Sequence, residues 1–153
     1  MDRKILFLCT GNSARSQMGE ALLRKHAGDI FQVFSAGAVP KEEIFPPVVA
    51  VMREIGIDLS GVKPKGVEDY LGKVHFEKVI IVCAEADRQC PNIFASSQRL
   101  SWPFEDPAKA SGKEADILAF CRDIRDQIEN KIQSWLMEER IKPQCGGETG
   151  VGP

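Results

Sequence analysis

The stretch LFLCTGNSARSQMGEALLRKHA, residues 6–27, decides the fold. It completes an apolar strand, Lys4-Ile5-Leu6-Phe7-Leu8, passes through a turn of small and polar residues, and continues as an amphipathic helix. Cys9 ends the strand and Arg15 follows six positions later. Between them Thr10, Gly11, Asn12, Ser13 and Ala14 are small enough, or free enough in φ, for consecutive backbone N–H groups to turn inward as an anion-binding nest. The helix beginning near Ser16 adds its unpaired N–H groups and the positive end of its dipole. Such a field predicts a Cys9 thiolate, with a pKa of roughly 3.5–7.5 against ~8.5 for an unperturbed thiol. Arg15 offers planar, paired donors for two oxygens of a tetrahedral oxyanion, which a lysine does not match.

Outward from this stretch, strands and helices alternate. Phe31-Gln32-Val33-Phe34 has the period of a second strand and ends in Ser35-Ala36-Gly37. Pro46-Pro47 open a helical pattern carried by Val48, Val49, Val51, Met52 and Ile55, with Gly56 as its stop, and residues 68–71 form a short helical turn. Lys78-Val79-Ile80-Ile81-Val82 is the continuous apolar run of a central strand covered on both faces, and it delivers Cys83 to its end. Residues 84–98 are polar, interrupted by Pro91, and read as loop or weak helix; a short strand near Arg99–Trp102 leads to Asp106-Pro107. Ile117, Cys121, Ile124, Ile128, Ile132 and Trp135, spaced by three and four, mark the clearest helix, and place Cys121 in the core. The pattern predicts one three-layer α/β/α domain over residues 1–140 with a four-stranded parallel sheet, followed by a glycine-rich mobile tail at 141–153. Ligands of such sheets bind beyond the carboxyl ends of the strands, where Cys9, Ser35 and Cys83 all fall.

A chain of 153 residues is long enough to bury a core without disulfides or metals. A formal net charge of -2 gives no whole-protein field for nucleic acid or an anionic membrane, so an anion must be held locally. No apolar run approaches the ~18 residues of a membrane span, and the amino terminus has no basic-apolar-small signal pattern. A cytoplasmic monomer is expected. Five cysteines, Cys9, Cys83, Cys90, Cys121 and Cys145, favour thiol chemistry over a disulfide framework. No pair has C-x-x-C spacing and His26 and His75 lie far from any cysteine, which disfavours zinc; no bound cofactor is expected. The loop is also neither G-x-G-x-x-G nor G-x-x-x-x-G-K-[ST], which excludes the common nucleotide sites.

VCAEADRQCP puts Cys83 and Cys90 seven residues apart. In regular helix they would stand about 10 Å apart along the axis, whereas a disulfide needs Cα atoms within ~7 Å. Bonding them requires the segment to unwind, and a short polar stretch ending at Pro91 has little helix to lose. From spacing alone the two are either a redox pair or a buried strand end beside an incidental thiol. Asp106 is a candidate general acid, although an Asp before Pro is also a common turn residue. Ser16 could steady the Cys9 thiolate or simply cap the helix, and Asn12 reads as a loop-fixing residue.

CTGNSARSQM at 9–18, FSAG at 34–37 and Asp106-Pro107 together resemble the low-molecular-weight tyrosine phosphatase superfamily over about residues 3–140. That superfamily holds phosphatases and thioredoxin-coupled arsenate reductases. Resemblance to the reductases implies a three-thiol relay in which Cys9 attacks arsenate, Cys83 attacks Cys9 as arsenite leaves, and Cys90 attacks Cys83, the final disulfide being reduced by thioredoxin. Two features favour reductase. Position 14 is alanine, where many such loops carry a second cysteine, and Ala108-Lys109 follow Asp106-Pro107, where phosphatases of this type place aromatic walls. A phosphatase using a Cys9 phosphoenzyme is the alternative, and a non-catalytic oxyanion or redox sensor signalling through Cys83–Cys90 is a third reading. Reductases of this kind often hold a monovalent cation with residues matching Asn12, Glu20, Ser35 and a later aspartate. Lys65 falls where that aspartate would be, so its ammonium is expected to replace the cation.

Overall fold

The computed structural model describes residues 3–83 and 96–139. Its elements run β1 (Arg3–Cys9), α1 (Arg15–Ala27), β2 (Phe31–Gly37), α2 (Pro46–Arg53), a 3-10 turn (Val67–Asp69), β3 (Lys78–Ile81), β4 (Gln98–Ser101), a second 3-10 turn (Pro107–Lys109) and α3 (Glu114–Glu138). Cys90, Cys145, most of the 84–98 segment and the tail expected at 141–153 lie outside the described residues.

All strand pairs are parallel and the order across the sheet is β2-β1-β3-β4. β1 and β3 are the strands of the two apolar runs, β2 is the alternating one, and β4 is the short strand expected near Arg99–Trp102. β1 lies between β2 and β3, which is why Ile5, Leu6, Phe7 and Leu8 are all buried rather than alternating. The edge strand β4 is exposed or half-exposed throughout, and polar to match.

Register divides the side chains between two faces. Phe7 pairs with Ser35 and Ile80, and Leu6 pairs with Phe34 and Val79. On the Phe7 face α1 and α3 pack together, with α2 against α3. Trp135 of α3 stacks on Phe31 at 5.6 Å and meets Trp102 edge-on at 5.9 Å, and Trp102 reaches Phe7 at 6.2 Å. On the Leu6 face Phe34, Phe76 and Tyr70 form a triangle of edge-on rings 5.4 to 5.7 Å apart.

The helices obey their sequence signals. Pro46 and Pro47 occupy the first turn of α2, where their missing N–H costs nothing, and Gly56 takes φ +83° just beyond its end. The α3 stripe of Cys121, Ile124, Ile128, Ile132 and Trp135 is buried, as its spacing requires. Cys121 is therefore a core residue, and burial pushes its thiol up. No helix among the described residues is long and apolar enough to cross a membrane.

Candidate active site

Strand β1 ends at Cys9, α1 begins at Arg15, and the five residues between form a cup at the carboxyl end of the sheet. Its shape follows from where the carbonyls go. Those of Cys9, Thr10, Gly11 and Ser13 accept hydrogen bonds from the N–H groups of Ala38, Val39, Lys41 and Phe45, at 3.1, 2.8, 2.9 and 2.9 Å. Asn12 O accepts from Gln17 Nε2 at 3.3 Å and Ala14 O from the Met18 N–H at 3.0 Å. With every carbonyl of residues 9–14 tied outside the cup, the amides are the groups left to face an anion. The Asn12 amide already points inward, donating to Cys9 Sγ at 3.3 Å.

Asn12 itself stands at φ +51°, the left-handed region that asparagine tolerates better than most residues. Its fully buried side chain fixes that conformation from three sides. Nδ2 donates to Ser16 Oγ at 2.8 Å, while Oδ1 accepts from Gln17 Nε2 at 2.8 Å and from the Lys65 amide at 2.7 Å. The loop-fixing role read from the sequence is thus played by Asn12, with Gln17 as a partner that sequence reasoning missed. Gln17 looked like one more polar residue of an amphipathic helix; only its burial beneath the loop marks it out.

Cys9 lies at the base of the cup, 3% exposed, with Ser16 Oγ 3.0 Å from its sulfur. Ser16 caps no amide of α1 by its side chain, so of its two sequence readings the contact with Cys9 is the one realised. Cys83, 1% exposed at the end of β3, brings its thiol beside that of Cys9, and Thr10 Oγ1 lies 3.6 Å from Cys83 Sγ. The hydrogen bond with Cys83, together with burial, pushes the Cys9 thiol well up, against the downward pull of the Ser16 hydroxyl. The lowered value expected from the loop is therefore corrected. The loop's sequence displays the groups that favour a thiolate but neither the depth of burial nor a second thiol contributed by β3.

Arg15 is buried to 8% exposure and extends across the cup. Nη1 donates to Phe104 O at 2.9 Å, Nη2 stands 3.8 Å from Asp106 Oδ2, and the buried Nε has no hydrogen-bond partner among the described residues. A desolvated donor of that kind is costly unless an acceptor is bound, and a tetrahedral oxyanion in the cup supplies one. Asp106 turns its other oxygen, Oδ1, to the Ala108 amide at 3.0 Å, capping the 3-10 turn. The turn reading of Asp106 is realised, and its carboxyl also lines the cavity that holds Cys9. Cys9, Thr10, Gly11, Ser13, Ala14, Arg15, Lys41, Asp106 and Ala108 line a cavity of about 240 Å³, room enough for a tetrahedral oxyanion.

Behind the cup Glu20 collects cations. Lys65 Nζ stands 3.6 Å from its Oε1, Ser35 Oγ donates to the same oxygen, and Arg24 Nη2 pairs with Oε2. The Lys65 ammonium thus sits against the carboxylate where the sequence expectation put it. Among the described residues no group of three His, Cys, Asp or Glu side chains is placed to hold a metal ion.

Comparison with known proteins places this geometry. Residues 4–145 match the low molecular weight phosphotyrosine protein phosphatase family. An arsenate reductase of Bacillus licheniformis is 41% identical over 132 residues, covering 86% of this chain and 93% of that one. A solved arsenate reductase in its phosphate binding state superposes with a TM-score of 0.72 at 26% identity, over 89% of this chain and 98% of that one. A thioredoxin-dependent arsenate reductase from Corynebacterium glutamicum gives 0.69 at 27% identity, over 91% of this chain and 62% of that one. With the signature cup, the parallel sheet and a match spanning nearly the whole sequence, the chain belongs to the low molecular weight phosphotyrosine protein phosphatase family.

Proposed function

We propose that the protein is an arsenate reductase working through a relay of Cys9, Cys83 and Cys90 that thioredoxin returns to the reduced state. The observation that carries the reading is the second thiol. Cys83, 74 residues from Cys9 in sequence, lies buried beside it at the base of an oxyanion cup. Hydrolysis of a phosphoester has no use for a thiol there; a relay needs one.

Arsenate enters the cup on the inward amides and Arg15, and an arsenate oxygen takes the Cys9 thiol proton. The Cys9 sulfur bonds to arsenic as one oxygen leaves as water, with Asp106 supplying a proton to it. Cys83 thiolate then attacks the Cys9 sulfur. The S–As bonding pair stays with arsenic, As(V) becomes As(III), arsenite departs, and a Cys9–Cys83 disulfide forms. Cys90 thiolate attacks Cys83, Cys9 leaves as thiolate, and the Cys83–Cys90 disulfide passes two electrons' worth of oxidation to the thioredoxin dithiol. Support for the donor comes from the thioredoxin-dependent relative and from the Cys83–Cys90 spacing.

The test is arsenate-dependent NADPH oxidation with thioredoxin and thioredoxin reductase, on wild type beside Cys9→Ser, Cys83→Ser and Cys90→Ser. Turnover by wild type and by none of the variants is expected; turnover that needs Cys9 alone would sink the relay. One observation favours a second reading as phosphatase. Asp106 stands in the Cys9 cavity 3.8 Å from Arg15, where it could protonate the leaving oxygen of an ester. Aryl phosphate hydrolysis that survives Cys83→Ser, without arsenate turnover, would establish it.

A further inference from the structure

The geometry points to Lys41 as a further oxyanion-binding residue of the cup, an inference that rests on the oxyanion reading of the site. Three observations converge on it. First, the Lys41 stem lies along the one loop residue without a side chain: a Cβ built on Gly11 would meet Lys41 Cγ, Cε and Cδ at 3.1, 3.2 and 3.3 Å. Second, the backbone of Lys41 is anchored to that residue, its N–H donating to Gly11 O at 2.9 Å. The side chain therefore starts from a fixed point and runs over the cup's rim, where it lines the same cavity as Cys9 and Arg15. Third, Lys41 is exposed and has no ion pair among the described residues, so its charge is available to a ligand.

The charges around it show what that one ammonium adds. The oxyanion cavity is lined by two cations, Arg15 and Lys41, and one carboxylate, Asp106. Lys41 doubles the number of cations that line the cup. An adjoining cavity of about 350 Å³ shares Ser13, Lys41 and Ala108 with the first and is lined by Glu42 and Glu43. Two further carboxylates thus stand beside the entrance, and Lys41 separates them from the cup. A dianion passing Glu42 and Glu43 meets two cations at the end of its path with Lys41 present and one without it. The inward amides and Arg15 hold the oxyanion, and Lys41 adds the charge that draws it in.

The experiment uses the full chain and inorganic phosphate as probe. Protection of Cys9 from iodoacetamide is read by peptide mass mapping for wild type, Lys41→Met, Lys41→Arg and Lys41→Glu at low and high salt, with arsenate turnover measured alongside. Lys41→Met keeps the apolar stem over Gly11 and removes only the charge. It is expected to raise the half-protecting phosphate concentration about five- to tenfold at low salt, with the salt dependence flattened. Lys41→Arg restores protection to within about twofold, as a retained charge at an exposed site should. Lys41→Glu weakens protection further than Lys41→Met, and arsenate KM rises with these losses while kcat holds. Equal protection of wild type and Lys41→Met at low salt overturns the inference, as does failure of phosphate to protect wild-type Cys9. Phosphate protection that depends on Lys41 in an enzyme with no arsenate turnover would overturn the reductase reading and uphold this one.

Discussion

Gly37→Ala should separate the fold from the site. Gly37 closes β2 beside Cys9, its register partner, and carries no positive φ, so alanine brings no backbone strain. What it brings is a methyl group with no room. A Cβ there would stand 2.6 Å from Thr10 O, 2.8 Å from Asn12 N and 2.9 Å from Gly11 C, all backbone of the oxyanion loop. Ordinary contact begins near 3.4 Å, so the loop must retreat by about 0.8 Å or the end of β2 must bend away. Overpacking of this kind costs about 1–3 kcal/mol, a loss of several degrees in Tm at this chain length. A 1 Å misplacement of reacting groups costs about 10²-fold in rate, and the displaced atoms include the Asn12 amide that faces Cys9. Gly19→Ala is the matched control. Its Cβ meets the Phe7 ring at 2.5 to 3.0 Å, an equally tight clash, but with a side chain on the core side of α1. Urea denaturation and arsenate kcat/KM are measured on both. Comparable losses of stability are expected, with kcat/KM falling about a hundredfold only for Gly37→Ala. Wild-type kcat/KM in Gly37→Ala, or equal losses in both variants, would refute the reasoning.

Alkylation of Cys9 in the substrate-free enzyme should show a pH midpoint above the ~8.5 of an unperturbed thiol. Because the Cys83 thiol is the largest cause of the upward push, Cys83→Ala should move the midpoint down and speed alkylation at neutral pH; no movement would remove Cys83 as the cause. Arsenate turnover should be the same in potassium and sodium salts, since Lys65 already places an ammonium on Glu20. Lys65→Met should lose activity in sodium, and a wild type strongly activated by potassium would show that the ammonium does not substitute for a cation.

The fold was legible because each element carried its own signal: apolar runs for β1 and β3, prolines and a glycine bracketing α2, a stripe at three and four along α3. The floor of the site was legible for the same reason, since Cys9 through Ser16 are contiguous and their spacing is the motif. Its walls were not. Ala38, Val39, Lys41 and Phe45 tether the loop through backbone amides, which any residue but proline provides, so nothing in their identity announces the task. Gly37 reads as the end of a strand, and its need to be glycine appears only when a Cβ placed on it is found to fall within 3 Å of Thr10 and Asn12. Lys41 carries no signal in the sequence, and only the packing of its stem over Gly11 marks it out.

The protonation of Cys9 is the point at which local reading and tertiary structure disagree, and the disagreement bears on function. A nest of amides, a helix start and a serine all favour a thiolate, and a hydrolytic enzyme would gain by adding nothing to oppose them. Here β3 carries Cys83 into contact, and that neighbour raises the thiol it touches. Such an arrangement weakens the first step, attack on the oxyanion, because less of Cys9 is ionised at neutral pH. In the proposed relay it shortens the second, because the sulfur that would attack Cys9 is already beside it. Two thiols in contact share their protons, and loss of the first leaves one thiolate with a thiol donating to it; in the proposed relay their disulfide forms once the arsenic on Cys9 takes up the electron pair. A site selected for phosphoester hydrolysis has reason to keep such a neighbour away. A site that must pass oxidation from sulfur to sulfur accepts a slower attack in exchange for a prompt second step.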